Sequence, residues 1–144
     1  MMLNKALLPL VLIMLSACSL TKYPTKNYSQ TKKGNGSFLI TAISTDPNYG
    51  YSPEKAVEVG GVKNSQGPNN ERRYLNSLRG PNGETLKFHR RGSCCAVKSE
   101  NGFGGYAMLD IYEVYWKGSD DTLSIYINMY DSTELFAPQG LTIR

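Results

Sequence analysis

The cleanest pattern of apolar and polar positions lies near the C-terminal end of the chain. Over residues 123–130, Leu123, Ile125, Ile127 and Met129 fall on one face, and Ser124, Tyr126, Asn128 and Tyr130 on the other. A period of two predicts a β-strand with one buried face. Residues 105–116 are long enough for the strand that precedes it, and Lys117-Gly118-Ser119-Asp120-Asp121 has the composition of a hairpin loop between the two. Residues 85–91 also alternate, with Leu86 and Phe88 opposite Lys87 and His89. Two more strands are expected: the apolar run 38–44 (FLITAIS), and a short one at 56–59 closed by Gly60-Gly61. Only one stretch after residue 20 carries a helical period. Residues 71–79 place Tyr74, Leu75 and Leu78 on one face, with Gly80 where a C-terminal cap belongs and Pro81 behind it. The expected fold class is α+β, a small antiparallel sheet of four to six strands with one main helix.

The first residues follow a different rule. Residues 6–14 are apolar except for Pro9, and Lys5 precedes them. The run is too short to cross a bilayer, which takes roughly 20 residues, and reads as an export signal over residues 1–17. It ends in Leu15-Ser16-Ala17-Cys18. A branched apolar residue, two small residues and a cysteine resemble a bacterial lipobox. The resemblance implies cleavage before Cys18 and lipidation of its thiol and new amino group. Two or three acyl chains hold a protein stably on a membrane. Ser19, rather than Asp, follows Cys18, which in a Gram-negative envelope resembles an outer-membrane destination. Residues 18–37 then read as a lipidated cysteine with a flexible basic tether, since they have no sustained period and few large aliphatics. Residues 38–144 are the expected globular domain.

Charge sharpens this division. The 144 residues carry a formal charge of +4 and a mean hydropathy of -0.37. Lys5 lies in the signal, and Lys22, Lys26, Lys32 and Lys33 lie in the tether, whereas every acidic residue lies beyond residue 38. The excess of positive charge thus belongs to the anchor region, where lysines favour an anionic leaflet. It gives no reason to expect a nucleic-acid partner. The membrane is the expected partner through Cys18, with an envelope protein or glycan as a second.

Candidate chemistry is sparse. With Cys18 taken by lipid, Cys94 and Cys95 remain, adjacent and exported to an oxidising compartment. They form a vicinal disulfide, pair between chains, bind a soft metal with His89, or stay free. A vicinal disulfide closes an eight-membered ring and distorts the peptide within it, which makes it easier to reduce. Arg90 and Arg91 would lower the thiol pKa values if close. No Cys-x-x-Cys or His-x-x-x-His spacing occurs, and no Gly-x-Ser-x-Gly elbow surrounds any serine. Gly102-Phe103-Gly104-Gly105 lacks the Lys-Ser/Thr of a phosphate loop and reads as a β-turn. No catalytic residue, metal or cofactor is expected. The tyrosines suggest recognition instead. Tyr106, Tyr112 and Trp116 share one parity, and Tyr126 and Tyr130 share another face. If these faces coincide they form an aromatic platform.

The segments NYGYSPEKAVEVGG, GPNNERRYLNSLRGPNGE, RRGSCC, MLDIYEVYW and YINMYDSTELFAPQGLT occur in this order over residues 48–142. They resemble a family of short bacterial lipoproteins of unknown function. Some members carry the name of 2-dehydro-3-deoxyphosphooctonate aldolase. That type of enzyme resembles a (β/α)₈ barrel of about 250 residues, too large for this chain, so no catalytic residue is carried over. The resemblance draws attention to residues 70–73, 92–95 and 128–131. With the tyrosines they give a candidate binding surface of Arg72, Arg73, Tyr126, Tyr130 and Asp131. The expected function is an envelope-anchored, non-catalytic binding or structural module. A thiol-based redox or soft-metal protein, and a periplasmic inhibitor or immunity protein, are the alternatives.

Overall fold

The computed structural model describes residues 26–144. The export signal, Cys18 and residues 19–25 lie outside the described residues. The fold is α+β. A four-stranded sheet has the order β1 (Val57–Glu58), β5 (Leu123–Asn128), β4 (Tyr106–Tyr115), β3 (Lys87–Phe103). Its β3, β4 and β5 are antiparallel, while the short edge strand β1 runs parallel to β5. A separate antiparallel pair joins β2 (Leu78–Arg79) to β6 (Thr142–Ile143). One α-helix, α1 (Gly67–Leu75), packs on the sheet, and single 3-10 turns occupy Pro53–Lys55 and Val62–Asn64.

The alternation over 123–130 is realised in β5. Ile125 and Ile127 are fully buried, and across the ladder Tyr112 pairs with Ile125 and Val114 with Leu123. These side chains meet Tyr74 and Leu75 of α1 in the main core, to which Phe38, Ile40, Val57 and Leu141 also contribute. Each large aliphatic side chain buried there contributes about 1.5–3 kcal/mol. By alternation, Tyr126 and its partner Ile111 lie on the other face of the sheet.

The helix is displaced from residues 71–79. It begins at Gly67, with Pro68 in its first turn, where a missing N–H is tolerated. It ends at Leu75, because Ser77 Oγ turns back to the carbonyls of Arg73 (2.8 Å) and Phe38 (2.9 Å), and Leu78–Arg79 leave to pair with β6. Gly80 is therefore not a helix cap. It allows close approach instead: a Cβ there would lie 2.5 Å from Glu84 Oε2 and 3.1 Å from Trp116 Cγ.

Two further expectations change. Residues 38–44 supply core side chains but form no ladder, making only isolated bridges from Phe38 to Lys32 and from Ile43 to Ala137. Residues 26–37, the described part of the expected tether, are docked on the domain. Tyr28 N donates to Ser132 O (2.9 Å), and Ser132 N to Lys26 O (3.0 Å). Gln30 Nε2 donates to Thr133 O (2.6 Å), and Lys26 Nζ meets Glu58 at 2.6 Å. This segment is held by hydrogen bonds to backbone, with little apolar burial, so its hydropathy does not betray it.

Candidate functional site

Docking of residues 27–32 creates a cleft. Its other walls are the Gly60-Gly61 turn with the 3-10 turn after it, the first turn of α1, and residues 130 and 132. The cleft has a volume of about 310 Å³. Five amides line it, Asn27, Gln30, Asn64, Gln66 and Asn70, together with Tyr28, Tyr130 and two cations, Lys32 and Lys63.

The chain holds Gln30, Gln66 and Asn70 in place. Asn70 Nδ2 donates to the carbonyls of Gly60 (3.0 Å) and Val59 (3.3 Å). Its Oδ1 accepts from Arg73 Nη1 (2.8 Å), and the same nitrogen donates to Gln66 Oε1 (3.0 Å). Arg73 thus orients two lining side chains from behind. The turn is equally constrained. Gly61 has φ 110°, and a Cβ there would lie 2.5 Å from Asn70 Nδ2. Val59 N and Val62 N donate to Asn128 O (2.9 Å) and Met129 O (3.1 Å), tying the turn to the end of β5. Segments that the sequence keeps far apart, VGG, NNERR and NMYD, therefore converge here.

The candidate binding residues separate accordingly. Tyr130 lines the cleft and Arg73 braces it. Arg72 points elsewhere, donating to Asn69 Oδ1 (2.7 Å). Tyr126 lies on the sheet face opposite the helix. Asp131 is no surface residue: it is 5% exposed and accepts from Ser99 Oγ (2.7 Å), Asn101 Nδ2 (2.9 Å) and Asn128 Nδ2 (2.9 Å). The aromatic platform does not form. Tyr112 shares a face with Ile125, not Tyr126, and is buried under α1.

Cys94 and Cys95 are joined as a vicinal disulfide. Cys95 is the extra residue of a β-bulge between Cys94 and Ala96, with φ 47°, in the sparsely populated left-handed region. Cys95 is exposed, on the outer strand of the sheet. The arginines divide around it. Arg90 grips Asp110 through two nitrogens (2.6 and 2.9 Å), and Ser93 Oγ donates to the same carboxylate (2.8 Å). Arg91 reaches Glu113 at 3.4 Å. His89 contacts Tyr115 edge-on, with ring centroids 6.3 Å apart. Among the described residues no three of His, Cys, Asp and Glu are placed to hold a metal ion.

Within residues 70–73, to which the resemblance draws attention, one ionisable group has no role assigned from sequence. Glu71 of α1 is fully buried against β4, with Tyr112 Oη donating to its Oε2 (2.9 Å) and its Oε1 without a partner. Burial, reinforced by the charge of Asp110, raises its carboxyl pKa to about 7. The signal is present: Glu71, Tyr74, Leu75 and Leu78 have the i, i+3, i+4, i+7 spacing of a buried stripe. Of the amides of the cleft, only Asn70 lies in a segment to which the resemblance draws attention. Comparison with family models, curated proteins and solved structures finds no match for this chain.

Proposed function

We propose that this chain is a bacterial envelope lipoprotein, held by lipid on Cys18 at the periplasmic face of the outer membrane, whose domain is a non-catalytic glycan-binding module. The amide-lined cleft carries the binding part of this reading. Amide side chains offer donor and acceptor together; Asn27, Asn64 and the Gln30 Oε1 supply them to hydroxyl and acetamido groups, with Lys32 and Lys63 as charged donors in the same lining, while Asn70 shapes the wall. The tyrosines add contact area at low entropy cost. The lipobox carries the location. Two measurements test the reading. Cys18→Ser should move the protein from the membrane fraction to the soluble periplasm. The wild-type protein should sediment with isolated cell-wall sacculi, and Tyr130→Ala should lose most of that retention while keeping its urea midpoint. Retention that is absent, or indifferent to Tyr130, removes the glycan assignment.

A second reading rests on the exposed Cys94–Cys95 bridge. A protein dithiol could attack Cys95 Sγ, form a mixed disulfide and resolve it with its second thiol. The bridge would gain two electrons and two protons, and the dithiol would leave as a disulfide. The exposure and left-handed backbone of Cys95 predict reduction by dithiothreitol without denaturant, read as a gain of two hydrogens by intact mass. Resistance to reduction until the protein is unfolded would dispose of the redox reading.

A further inference from the structure

The hairpin joining β3 and β4 ends in Gly102-Phe103-Gly104-Gly105, and its tip is apolar where most of the surface is not. Phe103 is 94% exposed, Tyr106 50% and Met108 46%. They share one face, because Phe103 pairs directly with Tyr106 and Met108 follows Tyr106 by two residues. A phenylalanine held outward between glycines contributes nothing to the core.

The position of this tip within the molecule gives it a partner. Asn101, two residues before Phe103, donates through Nδ2 to Lys26 O (3.2 Å) and accepts through Oδ1 from Lys63 Nζ (2.7 Å). The hairpin end therefore touches the residue at which the described chain begins. Lys26 lies eight residues after Cys18, a span of at most about 28 Å at roughly 3.5 Å per residue. A lipid on Cys18 would therefore be tethered within that reach of the residue that the hairpin end touches. No acidic residue precedes Asp46, while Lys22 lies between Cys18 and the docked segment that begins at Lys26, a distribution that suits an anionic leaflet.

We propose that Phe103, Tyr106 and Met108 form a second membrane contact, dipping into the leaflet that holds the Cys18 lipids and fixing the orientation of the domain. This inference rests on the proposed lipid anchor. An apolar side chain with an aromatic beside it suits the headgroup–acyl boundary. Two contacts, one covalent and one through the hairpin, would orient the domain on the bilayer.

The test uses mature full-length protein carrying Phe103→Trp, reconstituted in vesicles of phosphatidylethanolamine and phosphatidylglycerol with brominated acyl chains. Trp116, the single native tryptophan, supplies the background read from the unsubstituted protein. The lipid on Cys18 is verified by mass spectrometry of the same preparation. With the lipid present, emission from the indole introduced at the hairpin tip should be blue-shifted, quenched by bromine and shielded from acrylamide. Adding Tyr106→Glu should abolish all three effects and leave the circular dichroism unchanged. A lipidated protein whose introduced indole is quenched by acrylamide and not by bromine overturns the membrane contact and leaves the anchor standing. Shielding in native membranes but not in protein-free vesicles overturns it in favour of a protein partner. Absence of lipid on Cys18 overturns both readings, because nothing then holds the tip against a bilayer.

Discussion

Replacing Glu71 by Gln should flatten the pH profile of stability, removing a loss of about 3 kcal/mol that the wild type suffers between about pH 4 and pH 8. Glu71 is raised from 4.5 to about 7 in the folded state. Between those values the native state holds a proton that the unfolded chain has released, so wild-type stability falls as pH rises through this window. The loss is absent below pH 4.5 and complete above pH 7. The cause is a fully buried carboxylate facing Asp110, eased only in part by the Tyr112 hydroxyl and the charges of Arg90 and Arg72. Glutamine keeps the volume and an oxygen for Tyr112 without a charge to bury. The lowered carboxyls of Asp46, Glu84 and Glu113 act below this window and are shared by both proteins. Urea unfolding at pH 5, 6.5 and 8 decides the matter: equal pH slopes in the two proteins would show that Glu71 does not titrate in this range.

What the chain discloses about itself divides along the forces involved. Where burial is apolar and regular, the pattern is legible. Residues 123–130 give β5 and its inward face, and 105–116 give β4 to within a residue or two. The short strand expected at 56–59 is present, though it runs parallel to β5. The helix exists but starts four residues early, because Pro68 reads equally as a loop residue and as a first-turn residue. Polar positions are another matter. Nothing in the composition of residues 26–37 shows that Tyr28 and Gln30 will find backbone partners a hundred residues away. Tyr130 and Arg73 stand out in the sequence and do meet at one cleft, but of the amides between them only Asn70 falls in a segment that stands out. An amide reveals its role only when the groups it bonds are brought together by the fold.

Asp131 illustrates the same point with a large energetic consequence. On sequence it belongs to a candidate binding surface, yet it is buried beneath three donors. Asp131→Ala should destabilise the protein by about 3 kcal/mol, because Ser99, Asn101 and Asn128 all lose an anionic acceptor away from water. Asp131→Asn should recover little of this. Its amide would present N–H to at least one existing donor, and Asn128 cannot turn over to compensate. Asn128 Oδ1 already accepts the backbone N–H groups of Tyr130 (2.9 Å) and Asp131 (3.1 Å). The damage should spread in two directions. Through Ser99 and Asn101 it reaches the β3–β4 hairpin tip, and through the neighbouring Ser132, whose N–H and Oγ hold Lys26 and Tyr28, it reaches the cleft wall. Hydrogen exchange should therefore accelerate at residues 28, 99 and 132, while β5 amides change only with global stability. Any loss of ligand retention in these variants should follow their unfolding free energy, unlike the loss expected for Tyr130→Ala. A urea midpoint for Asp131→Ala equal to that of the wild type would mean that the three donors find other acceptors, and that Asp131 is free to act on a ligand after all.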